Sequence, residues 1–326
     1  MSASHLTLEQ RGRLTQRAAL ASVAVAAILL AMKAVALWRT GSVAVLGSLA
    51  DTSLDLVASL VTLMGVRLAA MPADHDHRFG HGKAEALAAL FQVTLITMAA
   101  IGLAWESVHR MLVGVHETAA PETGIAVSVV AIILSFFLVV YQKRVIARTG
   151  SLAIGTDNLH YQSDFFLNLS VIVALVLDQY LGISGADPIF GVGIALWLAW
   201  NAWQSASQAV DDLMDKEWSL EERQHFLNVA SRHPQLKGIH DMRTRSSGAH
   251  RFVQFHASVD PDMTVLQAHR VMDEIEAALR KEFPGVDVLI HPDPEGHVEG
   301  GGDPLRGMDA QDLLEEESSE ASAVGK

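Results

Sequence analysis

Six runs of this chain are long and apolar enough to read as crossings of a lipid bilayer: residues 18–38, 43–70, 86–108, 122–143, 154–179 and 188–210. Hydrocarbon about 30 Å thick takes ~20 mostly apolar residues wound as α-helix, the one single-segment form that satisfies its own backbone polar groups without water. No Asp, Glu, Lys or Arg occurs from Pro188 to Val210 or from Gly124 to Tyr141. The expected architecture is therefore an α-helical membrane bundle of six transmembrane helices over residues 15–210, after a short N-terminal segment, 1–14. The first run is too long for a signal-peptide core and lacks a small-residue cleavage site followed by polar chain, so it is expected to remain as a helix.

Lysine and arginine set the expected orientation. Arg11, Arg13 and Arg17 precede the first run, Arg67, Arg78 and Lys83 flank the loop between the second and third, and Lys143, Arg144 and Arg148 flank the loop between the fourth and fifth. The other side has only Arg39 and Arg110. Both termini are expected in the cytoplasm, and with them the hydrophilic residues that follow the sixth run.

Those residues, 211–296, read as a small α+β domain. A helical pattern from Leu220 to Ser231 comes first. Two β-like runs, Ile239–Arg245 and Arg251–Asp260, are separated by Ser246-Ser247-Gly248, a hairpin signal. A second helix is expected over Val265–Phe283, with Val265, Ala268, Met272, Ile275 and Leu279 at helical spacing, and Val286–Ile290 reads as a last strand. The order αββαβ predicts a small sheet with helices on one face, a ferredoxin- or metallochaperone-like arrangement. Residues 297–326, with Gly300-Gly301-Gly302 and a Glu315–Glu320 acidic run, read as a disordered acidic tail.

Composition removes several function classes. Cysteine is absent, which excludes disulfides, thiolate metal sites and a cysteine nucleophile. A net charge of −13 argues against a nucleic-acid partner, although residues 299–326 supply much of it with eight acids and two bases. Metal chemistry here must use His, Asp and Glu.

Charge inside the apolar runs is the main functional clue. Asp51 and Asp55 in the second run are four residues apart and so lie one turn apart on one helix face. Such carboxylates repel, and each is costly at membrane depth. His160 and Asp164 repeat the spacing in the fifth run, with Asn168 a further turn along. Lys33 is the only base well inside another run, and one base cannot neutralise three acids. A bound divalent cation would, and four O and N ligands on two helices suit a tetrahedral ion.

Two further clusters occur. The loop Ala73-Asp74-His75-Asp76-His77-Arg78-Phe79-Gly80-His81-Gly82-Lys83 holds three His and two Asp, with glycines that let the backbone fold round an ion. In the hydrophilic domain His240 and His256 fall on the two hairpin strands, His269 on the second helix, and His291 and Asp293 just beyond the last strand. Adjacent strands lie ~4.8 Å apart, so these side chains could converge at one end of the sheet. His233, His250 and His297 have no such placement.

The pairs Asp51-x-x-x-Asp55 and His160-x-x-x-Asp164, the Pro-Ala-Asp-His-Asp-His-Arg-Phe-Gly-His-Gly-Lys-Ala-Glu loop and His240-Asp241-x-Arg243-Thr244-Arg245 together resemble the cation diffusion facilitators, and most nearly their bacterial YiiP-type zinc/proton antiporters, over roughly residues 15–296. The resemblance implies a homodimer in the bacterial inner membrane. It implies a transport site at Asp51, Asp55, His160 and Asp164, a loop site at Asp74, His77 and His81, and a binuclear cytoplasmic site drawn from His240, His256, His269, His291 and Asp293. It also implies a dimer charge interlock matching Lys83 with Asp215. Pro292 stands where the family often has Gln, and His75 and Asp76 are extra to its loop pattern.

The expected cargo is Zn2+, with H+ as the coupling ion, because metal and proton compete for the same imidazole and carboxylate lone pairs. Cadmium, iron(II) and manganese stay open as cargoes. No Walker-type phosphate loop occurs, which leaves an ion gradient as the energy source. An intramembrane metalloprotease would need His-Glu-x-x-His, which is absent. A membrane-anchored metal sensor without transport would use the cytoplasmic cluster but has no need of ligands at bilayer depth.

Overall fold

The computed structural model describes residues 6–40, 43–113, 122–181 and 186–296. The chain divides into two compact units, Met1–Leu213 and Met214–Lys326. The acidic segment expected to be disordered, residues 297–326, and His297 within it lie outside the described residues.

The first unit is helical: α1 (Leu8–Thr40), α2 (Val43–Ala69), α3 (Ala84–Val113), α4 (Glu122–Thr149), α5 (Leu152–Leu181) and α6 (Ala186–Leu213). Among the described residues, α1 to α4 contain stretches long and apolar enough to cross a membrane. α5 carries polar residues along its first half, Asp157, Asn158, His160 and Asp164 among them, and α6 carries Asn201, Gln204 and Ser205. These helices meet through small side chains. Ala18, Ala19, Leu63, Val66, Ala88, Val145, Ala153 and Ile154 form one buried cluster, and Val93, Ile96, Ala100, Leu159, Leu198 and Ala202 another. With lipid outside there is little hydrophobic drive between helices, so close backbone approach and dispersion must hold them. Gly65 shows how close α2 and α3 come: a Cβ there would collide with the Ala88 side chain.

The second unit runs α7 (Leu220–Ala230), β1 (Gly238–Ser247), β2 (His250–Val259), α8 (Val265–Glu282) and β3 (Val286–Pro294). Ser219 caps α7 by accepting from the Glu222 N–H, and Thr264 with Gln267 forms a capping box at α8. β1 and β2 are an antiparallel hairpin turning at Gly248, where φ is +57°. α8 then carries the chain across so that β3 lies parallel to β2, giving the order β1-β2-β3. Along β2, Val253, Phe255, Ala257 and Val259 point into a core shared with Phe226 and Leu227 of α7 and with Val271, Met272, Ile275 and Leu279 of α8. Both helices thus cover one sheet face, and the intervening β2 residues, His256 among them, face the other way.

One expectation needs correction. The sequence placed His291 and Asp293 beyond the last strand, but β3 continues to Pro294, with His291 opposite His256 and Asp293 opposite Ser258. Pro292 masked the continuation, since proline reads as a strand breaker. β3 is an edge strand of this sheet, where proline is tolerated.

The α2–α3 contact yields a prediction. Gly65→Ala is expected to destabilise by about 1–3 kcal/mol, the usual cost of overpacking. Gly47→Ala on the same helix, where a Cβ would meet nothing within 4 Å, is expected to be close to neutral. Thermal unfolding of the two variants in detergent checks this, and equal shifts would refute the packing.

Candidate metal sites

In the helical unit, α2 supplies Asp55 and α5 supplies His160 and Asp164, and their ligand atoms all lie within 4.8 Å of one another. His160 Nε2 is 3.0 Å from Asp55 Oδ1 and 3.9 Å from Asp164 Oδ2. The i, i+4 spacing on α5 stacks the imidazole over Asp164, and Asn168 donates to the Asp164 backbone carbonyl at 2.7 Å. Asp51 is not brought into this group; it lies one turn earlier on α2 and is exposed. Lys33 on α1 donates from Nζ to Thr52 Oγ1 at 2.6 Å and to the Ser48 carbonyl at 3.2 Å.

A neighbouring feature escaped the sequence reading. Asp157, one turn before His160, is fully buried. Ser22 of α1 donates to its Oδ2 at 2.5 Å and Gln142 of α4 at 2.6 Å, while Gln92 of α3 donates to Oδ1 at 2.8 Å. Tyr161 donates to the Ser22 carbonyl at 3.0 Å, and its hydroxyl oxygen also lies 3.0 Å from Ser59 Oγ of α2. The start of α5 is therefore cross-linked to the four helices before it, which fixes where His160 and Asp164 project. Asp157 lacks an acidic partner at i+4, so spacing alone did not mark it; Gln92 and Gln142 inside apolar runs were the available signal.

The loop between α2 and α3 folds round Asp74. Its Oδ1 accepts from the backbone N–H of His77 at 2.7 Å and of Asp76 at 3.0 Å. His77 Nδ1 lies 3.4 Å from Oδ1 and His81 Nε2 3.3 Å from Oδ2, with the two rings 4.5 Å apart. Gly80, at φ +79°, makes the reversal that returns His81 to Asp74. The His77 N–H holds the Asp74 carboxyl below the ordinary carboxylate range, helped by the Asp76 N–H and the two imidazoles against a smaller desolvation effect. His75 and Asp76 are exposed and lie against each other, 3.3 Å apart.

In the second unit the parallel and antiparallel registers line up His240, His256 and His291 in one row across the sheet. Their rings stand 5.2 Å and 4.7 Å apart. Asp293 serves all three: Oδ2 is 2.8 Å from His256 Nδ1 and 3.2 Å from His240 Nε2, and Oδ1 is 3.2 Å from His291 Nε2. His240, His256 and Asp293 place ligand atoms within 4.8 Å of one another. The irregularity after His240, where Asp241 takes φ +47°, also turns the Asp241 carboxylate to 3.9 Å from His256 Nε2. His269 does not join the row; it is exposed on α8, 3.6 Å from Asp273. His233 meets Glu274 at 3.1 Å, and partial burial lowers the pKa of His250. Lys83 donates to the Leu213 carbonyl at 3.1 Å, while Asp215 in the second unit is 3.6 Å from Arg245 Nη1.

Residues 19–214 match the family model described as the cation efflux transmembrane domain, and residues 218–295 match the cation efflux protein, cytoplasmic domain. The chain is 41% identical over 283 residues to a cation-efflux pump FieF of Cronobacter sakazakii, covering 87% of this chain and 94% of the relative. It is 43% identical over 291 residues to one of Serratia proteamaculans and 42% identical over 283 residues to one of Escherichia coli, each at the same 87% and 94% coverage.

The Asp293 environment predicts a pH effect. Burial raises its pKa, but the His256 hydrogen bond and the charges of His256, His291 and His240 outweigh it, so the carboxyl is held below its ordinary value. A depressed carboxylate contributes stability above the ordinary range, and that contribution is lost as pH falls through the folded value. Metal-free Asp293→Asn is thus expected to lower the melting temperature of residues 214–296 at neutral pH. The gap should close below pH ~4. Calorimetry across pH checks it, and a constant gap would show that ionisation of Asp293 is not involved.

Proposed function

Since the chain belongs to the cation efflux family, also called the cation diffusion facilitators, and is a multi-pass membrane transporter rather than an enzyme, we propose that it exports zinc from the bacterial cytoplasm in exchange for protons. The observation that carries the reading is the Asp55–His160–Asp164 group inside the helical unit. Two carboxylates and an imidazole from two helices offer oxygen and nitrogen donors that zinc accepts. Asp51, one turn from Asp55, is the proposed fourth ligand, brought in when the cation draws the carboxylates together. All six helices cross the inner membrane in this reading, with both termini in the cytoplasm, in line with the lysine and arginine excess on that side.

Exchange follows from ligand chemistry. A cation binds the deprotonated forms of His160, Asp55 and Asp164, so cation and proton exclude each other at these atoms. A site loaded from the neutral cytoplasm and opened to a more acidic exterior releases its cation as the imidazole takes a proton. Alternating exposure of the same three side chains therefore couples the two flows, and no step requires a nucleotide. Cadmium and iron(II) share enough ligand preference to compete as cargo.

The other two groups are proposed as regulatory or structural sites. Asp74, His77 and His81 would hold an ion in the loop, and His240, His256, His291 and Asp293 one or more ions in the cytoplasmic domain, where the protein is proposed to form a homodimer. Ions there would stabilise the folded domain by mass action.

Asp55→Ala and His160→Ala are each expected to abolish zinc uptake by proteoliposomes while the protein stays monodisperse, since each removes one of three converging ligands. Flux near that of the unsubstituted protein in either variant would refute the transport site. His160→Asp makes the site all-oxygen, which should relax selectivity toward manganese and shift the pH profile to lower pH. A membrane-anchored sensor would bind zinc and move none.

A second expectation concerns the row of histidines. Zinc should raise the melting temperature of residues 214–296, and His240→Ala with His291→Ala should remove most of that rise. An undiminished rise would place the metal elsewhere in the domain.

A further inference from the structure

An ammonium group at membrane depth is expensive unless something compensates it. Lys33 sits partly buried at the α1–α2 contact, yet its Nζ rests on two neutral acceptors, the Ser48 carbonyl and the Thr52 hydroxyl. Neutral oxygens satisfy hydrogen bonds but leave the charge itself unbalanced. Its compensation must come from the carboxylates nearby, and the Lys33 charge is indeed within electrostatic range of Asp164.

Helix geometry shows how near those carboxylates are. Ser48, Thr52 and Asp55 follow one another at i, i+4 and i+7, a single stripe of α2. Thr52 and Asp55 are thus offset by about 4.5 Å along the axis, and Asp51 lies one turn before Asp55, about 100° round the helix from Thr52. Lys33 reaches this stripe on a flexible four-carbon stem, so a change of rotamer carries Nζ from Thr52 toward Asp51 or Asp55 without moving either helix. Charge counting gives the swing a purpose. Leaving aside Asp157, which Ser22, Gln92 and Gln142 hold, Asp51, Asp55 and Asp164 total three negative charges when ionised, a divalent cation cancels two, and Lys33 matches the one that remains.

We propose that Lys33 is a tethered counter-cation of the transport site: perched on Ser48 and Thr52 while the cation is bound, and moving onto the Asp51–Asp55 carboxylates as it leaves. This rests on the transport reading and adds a release device to it. By competing for the same carboxylates, the tethered charge weakens cation binding and lowers the barrier to release. A side chain that merely packed α1 against α2 would do neither.

The two roles separate in transport kinetics. In proteoliposomes, Lys33→Met is expected to lower the KM for zinc about tenfold and the maximal rate by a similar factor, within the usual range for one coupled charge. Lys33→Arg, which keeps the charge, should stay near the unsubstituted protein in both. Lys33→Gln repeats the neutral substitution in case the methionine variant is not monodisperse. Zinc titration of detergent-solubilised protein carrying His77→Ala, His240→Ala and His291→Ala should show the same tightening at the remaining site. A lower rate with unchanged or weaker affinity overturns the proposal in favour of helix packing, and so does tighter binding without a slower rate. Failure of the unsubstituted protein to move zinc would instead overturn the transport reading itself.

Discussion

Burying a carboxylate in a membrane bundle is the constraint on which the helical unit is organised. Asp157 lies out of reach of water and is held by Ser22, Gln92 and Gln142 from three different helices. Each bond is modest in net terms, but a partly satisfied buried carboxylate would cost several times more, so the donors cannot drift apart independently. The start of α5 is therefore tied to α1, α3 and α4, and Tyr161 adds α2. From that anchor, His160 and Asp164 project on fixed helical phase toward Asp55.

The same unit shows why the anchor must be polar. Alanines and glycines at the helix contacts, such as Ala88 against Gly65, permit close approach but supply little orientation of their own. Hydrogen bonds between amides and a carboxylate have direction, and they select one rotation of each helix. Small contacts and directed bonds divide the work: the first sets spacing, the second sets phase.

Much of the fold could be read from the residues because its signals are local. The αββαβ order followed from hydrophobic period and turn residues, and the long apolar runs marked a helical membrane unit ahead of it. Among the described residues, four of its helices are apolar enough to cross by composition alone. The misread end of β3 came from Pro292, whose local preference is overruled by pairing with β2. Non-local placement was harder to see. That His269 turns outward with Asp273 while His240, His256 and His291 form one row depends on strand register, and register depends on the bulge at Asp241. Spacing also could not show that Asp157 gathers three helices, since its partners are scattered from Ser22 to Gln142.

The three donor groups differ in a way that matches where each sits. In the bundle two carboxylates share one imidazole, in the loop two imidazoles share Asp74, and in the second unit three imidazoles share Asp293. Imidazole favours borderline cations such as zinc, whereas carboxylate is less discriminating and binds hard cations as well. An imidazole-rich set is thus suited to sense one kind of ion and keep it. A carboxylate-rich set inside a bundle carries a large negative charge that must be neutralised by something in every state, whether cation, proton or a neighbouring ammonium. In the exchange proposed above, that obligation is met in turn: the charge a departing cation leaves uncompensated is taken up by protons or by the Lys33 ammonium.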